Sequence, residues 1–264
     1  MALEEFSKEN LVEIYKRGHL TSKRISAESE KQECMKRFEK RTDDGHFQRL
    51  VEVVFFQHTL ATNVEKRLPA IAAYLGDYKK LIEIRNKGGE EEYIVLMKGD
   101  KEMFRDERKM RACIDNAFVF DGIVQQFGSF NEYILSFDPW NDENDYENLD
   151  RLLEDLDRRF VRFGAISPMH FLVHYGFPVI KPDSNIMRTF YRIGLTKSEK
   201  DYIGSVKAAR RMAEATGVMV NSIDTFVTLG MKKGNEVCGK EPKCGLCDMQ
   251  DLCRYCRQSQ NEPT

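Results

Sequence analysis

Apolar residues recur at spacings of three and four along most of this chain, and nowhere in sustained alternation. Residues 9–17 (ENLVEIYKR) carry that spacing, and residues 48–60 (QRLVEVVFFQHTL) are dense enough in apolar side chains to predict a buried helix. Another helix is expected over 64–75, broken or restarted at Pro69, which has no backbone N–H to donate. A short helix over 77–85 and a loop at 88–91 (KGGE) follow, and 92–97 (EYIVLM) fits either a helix or a strand. Residues 106–126 predict a long helix with Ile114, Ala117, Phe118 and Ile123 on its apolar side. Gly128 ends it, and Ser129 starts the next over 130–137. Leu149, Leu152, Leu153, Leu156 and Phe160 form a stripe at helical spacing over 147–160. Residues 24–42 are charged enough to predict an exposed helix or a linker. There is no strand–helix–strand rhythm and no internal repeat, so the expectation is an all-α protein with a small irregular C-terminal metal module.

Composition narrows the class. The chain has 264 residues, 41% hydrophobic and 32% charged, enough for one large domain or two without disulfide staples. No apolar run is long enough to span a bilayer, and the opening MALEEFSKEN lacks the apolar stretch of a signal peptide. The expectation is a protein with no membrane association, cytoplasmic, and nucleoid-associated if bacterial or archaeal. The net charge of −2 argues against a generally basic DNA binder, but it averages over a split. Residues 138–157 carry nine acids and one base, whereas residues 179–264 carry 14 Lys and Arg against 10 Asp and Glu. The basic C-terminal part can face an anion, or both regions can simply be solvated faces.

Seven cysteines are present. Cys34 and Cys113 stand apart, and Cys238, Cys244, Cys247, Cys253 and Cys256 fall within 19 residues. In a chain without secretion signals such crowding reads as a metal site rather than as disulfides. The C-x5-C-x2-C-x5-C spacing suits tetrahedral zinc or a [4Fe–4S] cluster, with Cys256 an alternative to Cys253 as fourth ligand. Such a centre can serve only to fold the loop. Lys232, Lys233, Lys240, Lys243, Arg254 and Arg257 lie around it and could meet phosphates.

Two further segments carry chemistry. In FVRFGAISPMHFLVHYG (160–176), Gly164 permits an unusual turn. Ser167 suits an N-cap, Pro168 a first helical position and Gly176 a stop. A turn feeding a helix N-terminus suits a phosphate, and is equally an ordinary packing corner. In FPVIKPDSNIMRTFYRIGL (177–195), Pro182 keeps the chain out of helix and Asp183 opens a helix that Gly194 stops. Asp183 can be a plain N-cap. A carboxylate kept ionised by helix amides could also stabilise a sugar cation or position water.

The order of hairpin, apolar helix, helix-opening aspartate and cysteine loop resembles the helix-hairpin-helix DNA glycosylases, the superfamily of endonuclease III and the adenine glycosylase of mismatch repair. Their first cysteine gap usually holds six residues where this chain has five, and IDTFVTLGMKKGNEVCGKEPKCGLCDMQDLC (223–253) is similar to their approach to a [4Fe–4S] loop. The middle of the chain, FRDERKMRACIDNAFVFDGIVQQFGSFNEYILSF (104–137) and LLEDLDRRFVRFGAISPMHFLVHYG (152–176), is closer to the DNA-3-methyladenine glycosylase I group. VFFQHTLATNVEK (54–66) matches the opening helix of either. The hairpin departs from the family, with Phe163-Gly164-Ala165-Ile166 in place of Pro-Gly-x-Gly and no Lys around Ala165 to Ser167.

The resemblance implies two helical domains with a cleft between them: 49–178, of a six-helix type and ending in the helix-hairpin-helix, and 1–48 plus 179–264, carrying the iron–sulfur loop. It implies a monomeric monofunctional glycosylase acting on double-stranded DNA. A damaged or modified base, alkylpurine-like, would be flipped out and its N-glycosidic bond hydrolysed, with Asp183 facing the sugar. Gln57, His58, Phe56, Tyr133, Trp140, His170, His174 and Asn185 are candidates for the base pocket or the gap, and each also has an ordinary packing role. Gly164, Ile166, Ser167, Lys181, Arg188, Lys240 and Lys243 are candidates for the DNA backbone. The [4Fe–4S] cluster would sit on Cys238, Cys244, Cys247 and Cys253, zinc being the alternative. Two rival readings stand: a glycosylase for bulky modified viral pyrimidines in antiviral defence, and a non-enzymatic iron–sulfur DNA-binding or redox-sensing protein.

Overall fold

The computed structural model describes residues 6–25, 38, 40–140, 146–230 and 236–261. Cys34, Lys232, Lys233, most of the charged 24–42 segment and the centre of the acidic 138–157 stretch lie outside the described residues. Every regular element among the described residues is helical. The chain divides into two compact units, Met1–Glu33 with Leu172–Thr264, and Cys34–Phe171. The packing places the two boundaries earlier than the sequence reading of 48/49 and 178/179. Phe38 is one reason: it is buried, with its ring 5.3 Å from that of His46 and 6.0 Å from that of Trp140.

The first unit starts with α1 (Lys8–Ile25). The second then runs α2 (Asp43–Phe56), α3 (Ala61–Glu65), α4 (Leu68–Leu75), α5 (Tyr78–Asn86), α6 (Glu90–Gly99), α7 (Glu107–Phe127), α8 (Phe130–Leu135), α9 (Glu147–Arg159) and the start of α10 (Ser167–Val173). The chain returns to the first unit with α11 (Ser184–Ile193), α12 (Tyr202–Thr216), a 3-10 segment (Val220–Gly230), the cysteine loop and α13 (Arg254–Asn261).

Side-chain oxygens start many of these helices. Thr42, Asp77, Asp106 and Ser129 accept from the amides of Gly45, Lys80, Lys109 and Glu132, satisfying donors that the helix itself leaves over. Gly128 ends α7 at a φ of 88°, a conformation glycine adopts without penalty. Pro69 sits in the first turn of α4 and so restarts the helix, as its missing N–H allows. The ambiguous 92–97 run is helical, within α6. The expected loop at 88–91 contracts to a Gly88–Gly89 turn, because Glu90, Glu91 and Glu92 occupy the first turn, where the helix dipole favours negative charge.

The core of the second unit is aromatic. Phe120 stacks on Phe130 at 4.6 Å, and Phe47 and Phe171 pack on this pair at 5.3 and 5.9 Å. Each such ring removes about 150–250 Å² from water. The first unit is built from both ends of the chain, with α1 packed on α12 and on the 3-10 segment. Gly18 allows that approach: a Cβ there would lie 2.4 Å from the Phe226 ring. The Ser22 hydroxyl lies 2.7 Å from those of Thr225 and Thr228, and Thr21 donates to Asp248 at 2.7 Å, tying α1 to the cysteine loop. No helix is long and apolar enough to cross a membrane among the described residues.

Candidate functional site: a hairpin, a helix-opening aspartate and a cysteine loop

The hairpin of the second unit spans Phe160 to Ser167. Phe160 and Phe163 anchor it in the core; Arg162 between them adopts a φ of 54°, and Gly164 just after them one of 63°. Arg162 thus holds a left-handed backbone that costs a non-glycine residue about 1–2 kcal/mol. Buried Asn116 of α7 brackets Val161, accepting from its amide at 2.7 Å and donating to its carbonyl at 3.1 Å. The first helical bond of α10 runs from His170 N to the Ile166 carbonyl at 3.0 Å. Ile166 therefore stands at the cap that the sequence assigns to Ser167. The Ser167 hydroxyl is engaged instead with Gln57, whose Nε2 donates to it at 2.8 Å and to the Phe163 carbonyl at 2.9 Å, and also meets the Arg162 carbonyl. Lys109 secures Gln57 from behind, with its Nζ donating to the carbonyls of Phe55 (2.9 Å) and Gln57 (2.7 Å) and to Thr59 Oγ1 (2.9 Å). Burial lowers the Lys109 pKa.

In the first unit Asp183 is the N-cap of α11. Its Oδ1 accepts from the amides of Asn185 (2.8 Å) and Ile186 (3.1 Å). Its Oδ2 has no hydrogen-bond partner among the described residues, and the side chain is half-buried. The extended approach is fixed by Asp224, which accepts from the Lys181 amide at 3.0 Å. Asn185 Oδ1 accepts from Arg188 at 2.8 Å. The two arginines of α11 then reach the cysteine loop. Arg188 donates to the Cys238 carbonyl at 3.1 Å, and Arg192 to those of Gly239 at 2.5 Å and Lys240 at 3.1 Å.

The five cysteines share this loop and α13. Cys244 and Cys256 have sulfurs 2.7 Å apart, Cys238 lies 3.6 Å from Arg192 Nη1, and Cys253 donates to the Arg192 carbonyl at 3.3 Å. Burial pushes the Cys247 thiol up to about 11 and raises those of Cys253 and Cys256. Thiols are the right donors in kind for iron or zinc. No group of three or more His, Cys, Asp or Glu side chains placed to hold a metal ion is present among the described residues.

The remaining candidates separate. Tyr133 is a correction: it is fully buried, its hydroxyl donates to Asp155 Oδ2 at 2.9 Å, and it cannot offer a face to a base without unpacking the core. Trp140 packs edge-on against Phe38. Phe56 and His170 meet at 5.3 Å, with His170 buried and its carbonyl held by Arg49 at 3.1 Å. His58, at a φ of 53°, and His174 are exposed, as are Lys240 and Lys243. Arg188 and Lys181 are half-buried and occupied within the first unit. Sequence reasoning passed over Lys109 and Asp224, whose partners are distant in the chain, and Leu60, which is 70% exposed on the turn after α2.

The all-helical fold is one that two solved structures share. It is shared with the crystal structure of the 8-oxoguanine DNA glycosylase of Thermotoga maritima (TM-score 0.53, 16% identity, 88% of this chain and 98% of that one). It is also shared with a trapped endonuclease III–DNA covalent intermediate, an estranged-adenine complex (TM-score 0.57, 14% identity, 97% of this chain and 100% of that one). No family model matches the chain, and no curated protein does. At these identities the likeness establishes the fold.

Proposed function

We propose that this protein is a monofunctional DNA glycosylase that hydrolyses the N-glycosidic bond of a damaged or modified base, alkylpurine-like, flipped out of duplex DNA. The observation that carries this reading is Asp183. On a fold shared with DNA glycosylases, a half-buried carboxylate opens a helix with one oxygen tied to two amides and the other unpartnered among the described residues. The tied oxygen fixes the group, and the other is available to a positive charge that develops during the reaction.

In this mechanism the bond between sugar C1′ and the base nitrogen breaks and its electron pair leaves with the base, which takes up a proton. Asp183 stabilises the oxocarbenium-like sugar. A water oxygen then bonds to C1′ and releases a proton, leaving an abasic site. Flipping costs a few kcal/mol, least for a mispaired or damaged base. Leu60 has the apolar, exposed character of side chains that fill the stack from a groove. The monofunctional reading is supported by the hairpin and by Lys109. Ala165, Ile166 and Ser167 offer no amine, and Lys109 places its ammonium against three acceptors inside the second unit.

A [4Fe–4S] cluster on Cys238, Cys244, Cys247 and Cys253 is part of the proposal. Its support is the cysteine spacing rather than the described arrangement of the thiols, and no step of the reaction is routed through it. The test is a panel of duplexes carrying alkylated, deaminated, oxidised or glycosylated bases, incubated with the protein and then treated with alkali. The expected result is strand breaks on one class of DNA, and only after alkali. Breaks before alkali would contradict the monofunctional assignment, and no breaks on any duplex would contradict the enzyme.

A further inference from the structure

The hairpin poses a mechanical problem. It lacks the Pro-Gly-x-Gly sequence that would shape it from within, yet it holds Arg162 and Gly164 at φ values of 54° and 63°. A strained turn persists only where its surroundings over-determine it. Asn116 supplies part of that restraint by holding Val161 from both sides. The rest comes from Gln57, whose amide nitrogen faces the Arg162 and Phe163 carbonyls and the Ser167 hydroxyl together. Two of those acceptors are adjacent at the start of the turn and the third is at its end.

We propose that Gln57 is a positioning residue: its side-chain amide, directed inward, fixes the 162–167 hairpin in the shape that meets duplex DNA, in place of the missing glycine signature. This rests on the reading of the protein as a DNA glycosylase. It moves Gln57 from the gap in the DNA to the backbone of the hairpin. Lys109 completes the device. By holding the carbonyls of Phe55 and Gln57 and the hydroxyl of Thr59, it fixes the end of α2 from which the Gln57 side chain projects. Nitrogen is essential at Nε2, because all three partners can accept. A carboxylate of the same size in its place would turn attraction into repulsion at two carbonyls.

The test compares wild type, Gln57→Glu and Gln57→Ala in the full-length protein by amide hydrogen exchange without DNA, by thermal melting, and by equilibrium binding and single-turnover excision on the duplex found by the panel. Both variants are expected to exchange at least tenfold faster over residues 161–167 while the core of α7 stays protected. Both are expected to bind duplex at least fivefold more weakly, with Gln57→Glu the worse despite its size, and to keep the excision rate at saturating DNA within about twofold. Unchanged hairpin exchange with a lost excision rate would overturn the proposal and return Gln57 to the DNA. Uniformly raised exchange with a lowered melting temperature would also overturn it, as a general structural role. A wild type that binds no duplex would overturn the glycosylase reading, and the exchange data, read without DNA, would still judge whether Gln57 holds the hairpin.

Discussion

His46 lies buried between the rings of Phe38 and Phe130, at 5.3 and 5.5 Å, with its Nε2 2.6 Å from Asn131 Oδ1. Burial pushes its pKa down from 6.5 to about 4. The unfolded chain therefore binds a proton as pH falls through about 6.5, while the folded chain resists until about 4. Acid favours the unfolded state across that window, and the folded protein should lose on the order of 3 kcal/mol between its two ends. Urea titrations at pH 7 and pH 4.5 should show this loss in the wild type and a smaller one in His46→Gln; equal losses would contradict the assignment. At the same scale, Asp183 was legible because its cap stands beside its helix in sequence, with Pro182 before it and Gly194 after it. The hydrogen bonds of Gln57 were not legible, because its partners lie in a segment a hundred residues further on. Tyr133 misled for a related reason: nothing in FNEYIL tells that Asp155 waits for its hydroxyl.

Among the elements, the helices with side-chain caps and glycine stops could be read, as α7 and α8 show. Helix α6 could not, because EYIVLM mixes β-branched and long side chains and its three glutamates act only once a helix exists. Helix α12 escaped notice because Val206 and Met212 are the only large apolar side chains on its buried side, the rest being Arg210 and the small Ser205, Ala208, Ala209 and Ala213, which make a weak stripe. The cysteine loop was legible as spacing alone. Backbone contacts from Arg188 and Arg192 hold it to α11, so whatever it binds bears on the helix that Asp183 opens. If the loop holds the proposed cluster, the purified protein should absorb broadly near ~400 nm. Cys244→Ala should lose that absorbance and its iron, and Cys256→Ala should keep both. Colourless protein with stoichiometric zinc would contradict the cluster, and iron lost in Cys256→Ala alone would exchange it for Cys253 as ligand.

At the scale of the molecule, contacts divide the chain into two compact units, Met1–Glu33 with Leu172–Thr264 and Cys34–Phe171. The boundaries were not legible in the sequence, since they depend on where single side chains such as Phe38 find their partners. The acidic 138–157 stretch and the basic C-terminal part belong to a chain with a net charge of only −2, so the proposed duplex binding would draw on local basic positions and should weaken steeply with salt. The central claim is that Asp183 performs chemistry rather than merely capping α11. Asparagine caps a helix about as well as aspartate, so Asp183→Asn separates the two roles. The decisive measurement is single-turnover base excision by wild type and Asp183→Asn on the responsive duplex, with DNA affinity and melting temperature measured alongside. The account predicts that excision falls at least a hundredfold while affinity and melting temperature change little. Excision within a few-fold of wild type would show that the carboxylate is only a cap and would contradict the mechanism.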